Sequence, residues 1–238
     1  MSVGLVVGAG GGIGSACARA LDGSADLMVL AGRSEAPLRA VAATLRGGSE
    51  VVTGDVATAE GREKIATGGG DAEIAWVILA SGVPLRGAFP DLMPQDIEAT
   101  FLTNLVGPAL LIRRLLDRAW QPNASIIGIG SISASRSLPN RAAYSGSKAG
   151  LEHLCRSLAA EVAPRGIRVN VVSPGVTDTP FLGSNQQALQ TWVADHVPQR
   201  RLATPEDVAG VVRYLVLDAP AYVTGARIAV DGGAESVS

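Results

Sequence analysis

The chain is short of what several functional classes require. Two cysteines, Cys17 and Cys155, stand in 238 residues. So few cysteines exclude a disulfide framework and argue against a metal cluster, so no metal and a reducing, cytoplasmic setting are expected. Both lie in helix-like apolar patterns and are expected to pack in the core. An excess of one charge is also missing, since 20 Lys and Arg face 22 Asp and Glu. Neither nucleic acid nor an anionic membrane surface is therefore an expected partner. The longest apolar runs are strand-length, so no membrane-spanning helix is expected. The N-terminal MSVGLVVGAG has neither a basic region nor a cleavage pattern, and no signal peptide is expected. Aromatic residues make up 4% of the chain, which does not suggest a stacked aromatic cage around a ligand.

Hydrophobic residues, at 47%, supply ample core for one compact domain over 1–238. Short β-branched runs alternate with helical patterns. Val3–Val7, Asp26–Ala31, Glu50–Gly54, Ile74–Leu79, Ala124–Ile129, Ile167–Val172 and Arg227–Val230 read as strands. Several are apolar at every position, as strands buried on both faces of a parallel sheet are. Helical windows fall near 13–22, 35–46, 58–67, 95–118, 142–164 and 205–217. The alternation predicts an α/β fold: a single Rossmann-like, doubly wound domain with a seven-stranded parallel sheet and helices on both faces. Gly68–Gly70 reads as a loop break. The segment 176–204 holds Pro180, Trp192 and Pro198 and interrupts the alternation, which is where a substrate lid would sit.

The first strand runs into Gly8-Ala-Gly-Gly-Gly12-Ile13-Gly14, and a helix follows. A strand, a glycine loop and a helix N-terminus together offer free backbone N–H groups to an anion such as a pyrophosphate. The spacing is GxxxGxG, at Gly8, Gly12 and Gly14, rather than GxGxxG. An acidic side chain about 20 residues beyond such a loop holds the ribose 2′-hydroxyl of NAD, whereas an Arg accommodates the 2′-phosphate of NADP. The second strand ends LAGRSE: Gly32 and Arg33 follow Gly14 by 18 and 19 residues, and no acid appears there until Glu35. Arg33 can offer a planar fork and Ser34 a hydroxyl, so NADP(H) is favoured, with NAD(H) as the alternative. Asp55, after the third strand, either accepts from an adenine amino group or caps the helix beginning near Thr58.

Tyr144 and Lys148 are spaced to share one face of a helix. An ordinary Tyr, with a pKa of about 10, is only about 0.1% ionised at pH 7. A nearby ammonium lowers that pKa and makes a usable general acid/base for a carbonyl/alcohol pair. Ser131, just beyond a predicted strand, can donate to the same carbonyl oxygen. Ser133, Ser135, Ser137, Ser145 and Ser147 are equally available on composition alone.

In combination these motifs resemble the short-chain dehydrogenase/reductase family over nearly the whole length. Gly8-xxx-Gly12-Ile13-Gly14 matches its cofactor loop, and Gly54-Asp55-Val56 its adenine contact. Asn104 in TNLVG matches its helix Asn. Ser131, thirteen residues before Tyr144, and Tyr144-xxx-Lys148 match its catalytic set, and Pro174-Gly175-Val176-xx-Thr179 its nicotinamide contact. The tail RLATPEDVA…YVTGARIAVDGG looks like the family's C-terminal region. The resemblance implies that Tyr144 acts as acid in reduction and base in oxidation, and that Lys148 lowers its pKa and holds the nicotinamide ribose. It implies that Ser131 polarises the carbonyl and that Asn104 links Lys148 to solvent through a water. An Asn that distorts its helix is compatible with that role. Thr179 and the Val176 backbone would hold the carboxamide, and Ala80 and Gly82 would flank the cofactor.

The chain departs from the family at Val7, at Leu79-Ala80-Ser81-Gly82 and at Gly130, which stands where a Ser is common. The family's enoyl-reductase branch spaces Tyr and Lys more widely, so the resemblance implies ketone/alcohol chemistry over C=C reduction. A 3-oxoacyl-thioester reductase falls within that reading, but RLLDRAWQPNAS lacks a basic cluster for an acidic carrier. A non-catalytic dinucleotide sensor or scaffold is the competing class, and the intact tetrad counts against it. The pocket is expected from Ser131–Arg141, Val83–Phe89 and 176–204, with Leu85, Phe89, Leu138, Pro139, Phe181, Leu182 and Trp192 as apolar walls. An apolar alicyclic or medium-chain ketone is the expected small-molecule substrate. Arg86, Arg136 and Arg141 are the candidates for recognising an anion instead. The family implies a homodimer or homotetramer, with helices near 95–118 and 142–164 as interface candidates.

Overall fold

The computed structural model describes residues 1–182 and 186–237, with 186–190 described by backbone only. Seven strands form one sheet: β1 Ser2–Val7, β2 Leu27–Gly32, β3 Ser49–Thr53, β4 Glu73–Leu79, β5 Trp120–Ile129, β6 Arg168–Pro174 and β7 Arg227–Val230. Their order is β3-β2-β1-β4-β5-β6-β7, and every neighbouring pair is parallel. The helices are α1 Gly12–Ala20, α2 Glu35–Ala42, α3 Ala59–Thr67, α4 Pro94–Phe101, α5 Gly107–Leu115, α6 Ala142–Val162, α7 Gln186–His196 and α8 Pro205–Arg213.

The period of two along each strand sorts side chains onto two cores. Val3, Leu5 and Val7 meet α3, α5 and α6 on one face. Val6, Leu30, Trp76 and Ile78 meet α1, α2 and α8 on the other. Cys17 and Cys155 are free and buried in these cores, as their patterns predict. Gly4 lies under Trp76: a Cβ there would stand 2.0 Å from the indole Cζ2. The winding reverses between β1 and β4, so the carboxyl ends of these strands open a crevice.

Three elements differ from expectation for identifiable reasons. The window 95–118 is not one α-helix: α4 passes through a π turn, Leu102–Val106, into α5. Pro108 has no N–H for the carbonyl of Asn104, and the Gly107 N–H reaches five residues back to Leu102 O. The end of window 205–217 is likewise a π turn, Tyr214–Asp218. There the buried Arg168 donates to Leu215 O and Val216 O at 2.7 and 3.2 Å. Strand β5 begins at Trp120, four residues early, because Pro122 and the positive φ of Asn123 hide its pattern. The Gly68–Gly70 loop is clamped, since Arg118 donates to the carbonyls of Ala66, Gly68, Gly70 and Ala72.

Much of the expected lid is helical. Val193 of α7 and Val197 just after it pack with Ile132 and Ala234. Residues 183–185 of that segment lie outside the described residues.

Candidate active site

The strand ends and the loops after them surround a cavity of about 770 Å³. At one end is the glycine loop. Gly8 holds φ 88°, and a Cβ there would meet Ser81 N at 2.7 Å, so only glycine fits the turn. Gly11 caps α1 without a side chain, and no acid occupies the first turn. The amides at Gly12, Ile13 and Gly14, which line the cavity, are thus left for an anion.

Arg33 and Ser34 line the same cavity and are exposed. Ser34 precedes α2 without capping it. Glu35, the first acid after β2, is engaged by Arg39 at 2.7 Å. Asp55 accepts from Ala57 N at 2.9 Å, while Thr58 caps α3 through Gly61 N at 3.0 Å. The cap of α3 is therefore Thr58 and not Asp55. Val56 is buried behind Asp55. Ala80 N donates to Val7 O at 2.8 Å, which ties β4 to the glycine loop.

Past the end of β6, Gly175 N donates to Val230 O at 2.9 Å, and Val176 O accepts from Ala203 N at 3.0 Å. Pro174, Gly175, Val176 and Thr179 all line the cavity. Thr179 crosses to the glycine loop, with its methyl 2.5 Å from the point where a Cβ on Gly12 would stand.

Ser131, Tyr144 and Lys148 line the cavity, whereas Asn104 does not, and all four are buried. Among the serines nearby, the hydroxyl that draws the phenol's pKa down is that of Ser131. Ser131 Oγ accepts from Ser133 N at 3.1 Å. Burial pushes the Tyr144 pKa up, while the Ser131 hydroxyl and then the charges of Arg141 and Arg86 pull it down.

The local source of positive charge differs from expectation. Lys148 Nζ donates to Ile129 O at 2.8 Å, and the cations acting on the phenol are the two arginines. Burial brings the Lys148 pKa down to about 8, against the field of Glu152. Asn104, inside the π turn, accepts from Val83 N at 2.8 Å and donates to Val83 O at 3.1 Å and Ser147 Oγ at 3.0 Å. Its amide thereby joins the loop after β4 to α6. Both Asn104 Oδ1 and Lys148 Nζ come within 3.4 Å of the point where a Cβ on Gly82 would stand.

Glu152 is a residue that sequence reasoning misses. It is 8% exposed, one turn beyond Lys148. Its Oε1 accepts from Ser131 N at 3.2 Å and from Ser173 Oγ at 2.6 Å, and its Oε2 from Arg227 Nε at 3.0 Å. Gly130 makes room for it, because a Cβ at Gly130 would stand 2.3 Å from Oε1. The departure at Gly130 is the sequence signal that points to this carboxylate.

The apolar walls differ in place. Leu138, Pro139, Phe181, Leu182 and Trp192 line the cavity, and Leu85 and Phe89 do not. Phe181 tilts against Tyr144 with ring centres 5.9 Å apart. Among the described residues no group of three His, Cys, Asp or Glu could hold a metal.

This arrangement defines a class. A family model described as enoyl-(acyl carrier protein) reductase matches residues 8–235. Galactitol 2-dehydrogenase of Rhizobium johnstonii is 36% identical over 246 residues, covering 96% of this chain and 93% of that protein. Protein FixR of Bradyrhizobium diazoefficiens is 42% identical over 134 residues, 56% of this chain and 47% of that protein. A short-chain dehydrogenase/reductase from Brucella melitensis, titled glucose/ribitol dehydrogenase, superposes with TM-score 0.91 at 30% identity, covering 98% of this chain and 96% of that one. A 3-oxoacyl-[acyl-carrier protein] reductase from the same organism, solved with NAD, gives 0.89 at 25% identity, covering 100% and 98%. The chain belongs to the short-chain dehydrogenase/reductase family, oxidoreductases that work on CH–OH/C=O pairs with a nicotinamide cofactor.

Proposed function

We propose that the protein is an NADP(H)-preferring oxidoreductase that interconverts a ketone and a secondary alcohol, with Tyr144 as general acid/base. The observation that carries this reading is that Ser131, Tyr144 and Lys148 line one cavity, all buried, with Lys148 one helical turn from Tyr144. The cavity fits the cofactor. Uncapped amides at Gly12–Gly14 suit a pyrophosphate, and Asp55 keeps an oxygen for the adenine. Among the described residues Arg33 makes no ion pair, and Arg39 occupies Glu35, which supports a 2′-phosphate over a free 2′-hydroxyl. At the other end, the Val176 N–H and the Thr179 hydroxyl suit the carboxamide, with Ala80 and Gly82 beside the ring.

When bound, the cofactor supplies or accepts the hydride. The protein's own residues do the rest. Ser131 and Tyr144 share the carbonyl oxygen and fix it for transfer. Tyr144 gives its hydroxyl proton to that oxygen in reduction and takes it back in oxidation. Lys148, held by Ile129 O, is placed to meet the ribose hydroxyls and replenish the proton, with Asn104 bracing the path from Val83. The Tyr–Lys spacing of four supports C=O rather than C=C chemistry.

Leu102, Val106 and Leu110 form an exposed apolar row at four-residue spacing over the π turn and α5, which supports association between copies of the chain. Two buried free cysteines support a reducing compartment. Among the described residues no helix is long and apolar enough to cross a membrane.

The test pairs cofactor titrations with turnover. NADPH should bind at least tenfold more tightly than NADH, and Arg33→Ala should erase the difference. Tyr144→Phe should keep cofactor binding and lose turnover of every ketone tried. An active Tyr144→Phe variant would sink the assignment.

A further inference from the structure

Two loops bring Arg86 and Arg141 to the same side of Tyr144. Gly87 N donates to Asn140 O at 3.1 Å, a backbone bond between the immediate neighbours of both arginines. Asn140 sits at φ 61° to make that turn, a conformation Asn tolerates better than most residues. Both arginines line the cavity. The Arg141 guanidinium carbon stands 5.8 Å from the centre of the Tyr144 ring.

Neither arginine has a carboxylate. Among the described residues they make no ion pair, whereas Arg19, Arg39, Arg114, Arg201 and Arg227, among others, each have one. Arg136, the third candidate, is committed elsewhere, donating to Ala234 O at 2.6 Å. Arg141 is half-buried, and burial and then the charge of Arg86 both work against its own charge. Two unpaired guanidinium groups that repel each other beside a catalytic phenol form an arrangement completed by an anion.

We propose that Arg86 and Arg141 form a subsite for the carboxylate of a short oxo acid or hydroxy acid, a few bonds from the carbonyl that Tyr144 serves. The inference rests on the reading of Tyr144 given above and replaces the expected apolar ketone with an anionic one. The short reach favours a carboxylate on the substrate itself. The phosphate of a carrier arm lies many bonds from its thioester carbonyl and would bind far from Tyr144. The 2′-phosphate of a cofactor belongs to Arg33, among the residues of the glycine-loop end. Binding also adjusts the phenol. The arginine charges pull the phenol's pKa down, so an anion that neutralises them strengthens the hold of Tyr144 on the proton that reduction needs.

The test uses the full chain saturated with the oxidised cofactor, so that a ketone binds without being reduced. Calorimetry compares 3-oxobutanoate and 4-oxopentanoate with their methyl esters. At least one acid should bind about 10- to 100-fold more tightly than its ester, with the gap shrinking at high salt. The double variant Arg86→Gln/Arg141→Gln should erase the gap while leaving ester affinity within about twofold, which also certifies its fold. Equal affinity for acid and ester, absence of binding at millimolar acid, or a gap that survives in the double variant would overturn the proposal. Tyr144→Phe should keep the gap and lose turnover with the reduced cofactor. A gap without reduction of any acid or ester would refute the oxidoreductase reading and leave the anion subsite standing.

Discussion

Replacing Lys148 by Met should make the protein more stable and inactive. Lys148 is buried, and its pKa falls from an ordinary 10.5 to about 8, chiefly through lost hydration. At about 1.4 kcal/mol per tenfold change in proton affinity, holding the ammonium there costs the fold about 3 kcal/mol at pH 7. Met is close in length and carries no charge. It leaves Ile129 O without its 2.8 Å donor, a loss of about 1 kcal/mol, so the net gain is about 2 kcal/mol. The pH dependence fixes the cause. Below about pH 8 the lysine is charged folded and unfolded, and the full penalty applies. Between about 8 and 10.5 the folded chain has released the proton and the unfolded chain has not, so wild-type stability rises with pH relative to the variant. Above 10.5 both forms are neutral and the penalty is gone. Urea melts of both proteins from pH 6 to pH 11 measure this, and in thermal melts a Tm difference of about 5 °C is expected at pH 7. A variant no more stable than wild type at pH 7, or a gap that does not close with pH, would refute the argument.

Other perturbations probe the surroundings. Glu152→Gln keeps an acceptor for Ser131 N but sets amide hydrogens against the Arg227 guanidinium, and should cost about 3 kcal/mol in urea melts. Because the Glu152 charge holds the Lys148 pKa up, its loss lets that pKa drop below about 8, and the alkaline limb of kcat/KM should move to lower pH. An unmoved limb would remove Glu152 from the electrostatics of the site. Gly130→Ala puts a methyl 2.3 Å from Glu152 Oε1 and should cost about 2 kcal/mol; paired with Glu152→Ala in a double-mutant cycle, the two losses should sum to more than the double variant shows. Gly4→Ala drives a methyl into Trp76 from beneath and should cost about 3 kcal/mol, read as a lower Tm, with cofactor affinity unchanged in the folded fraction.

Most of the sheet is readable because its strands are buried on both faces, so apolar runs and turns mark them without ambiguity. The π turn escapes a periodicity reading. The pattern over 95–118 stays amphipathic, and the missing N–H of Pro108 matters only through its relation to one carbonyl, that of Asn104. The proposed catalytic set is legible through fixed spacings along one helix and from one strand end. The charges around it are not, because Arg86 and Arg141 meet through a loop-to-loop hydrogen bond that leaves no local trace. Sequence shows Gly130 as a lost hydroxyl. The structure shows it as space, and the group that fills the space lies on α6, one turn past Lys148.

The carboxylate in that space links the chemistry to the end of the chain. Arg227 of β7 binds Glu152 on one side and Glu235 on the other, at 3.0 and 2.9 Å. Glu235 in turn binds Ser135, and Arg136 holds Ala234 O. The loop from Ser131 to Arg136 is therefore fixed at its start through Glu152 and at its end through the C-terminal turn. Replacing a buried ion pair with apolar side chains of equal volume often costs nothing, so stability alone does not account for this network. Its geometric effect is to hold the Ser131 amide, and with it the Ser131 hydroxyl, on a rigid frame. Val193 and Val197 rest on the same frame through Ile132 and Ala234, which anchors the far end of α7. The Pro180–Leu182 turn touches the site separately, through Phe181, whose ring centre stands 5.9 Å from that of Tyr144.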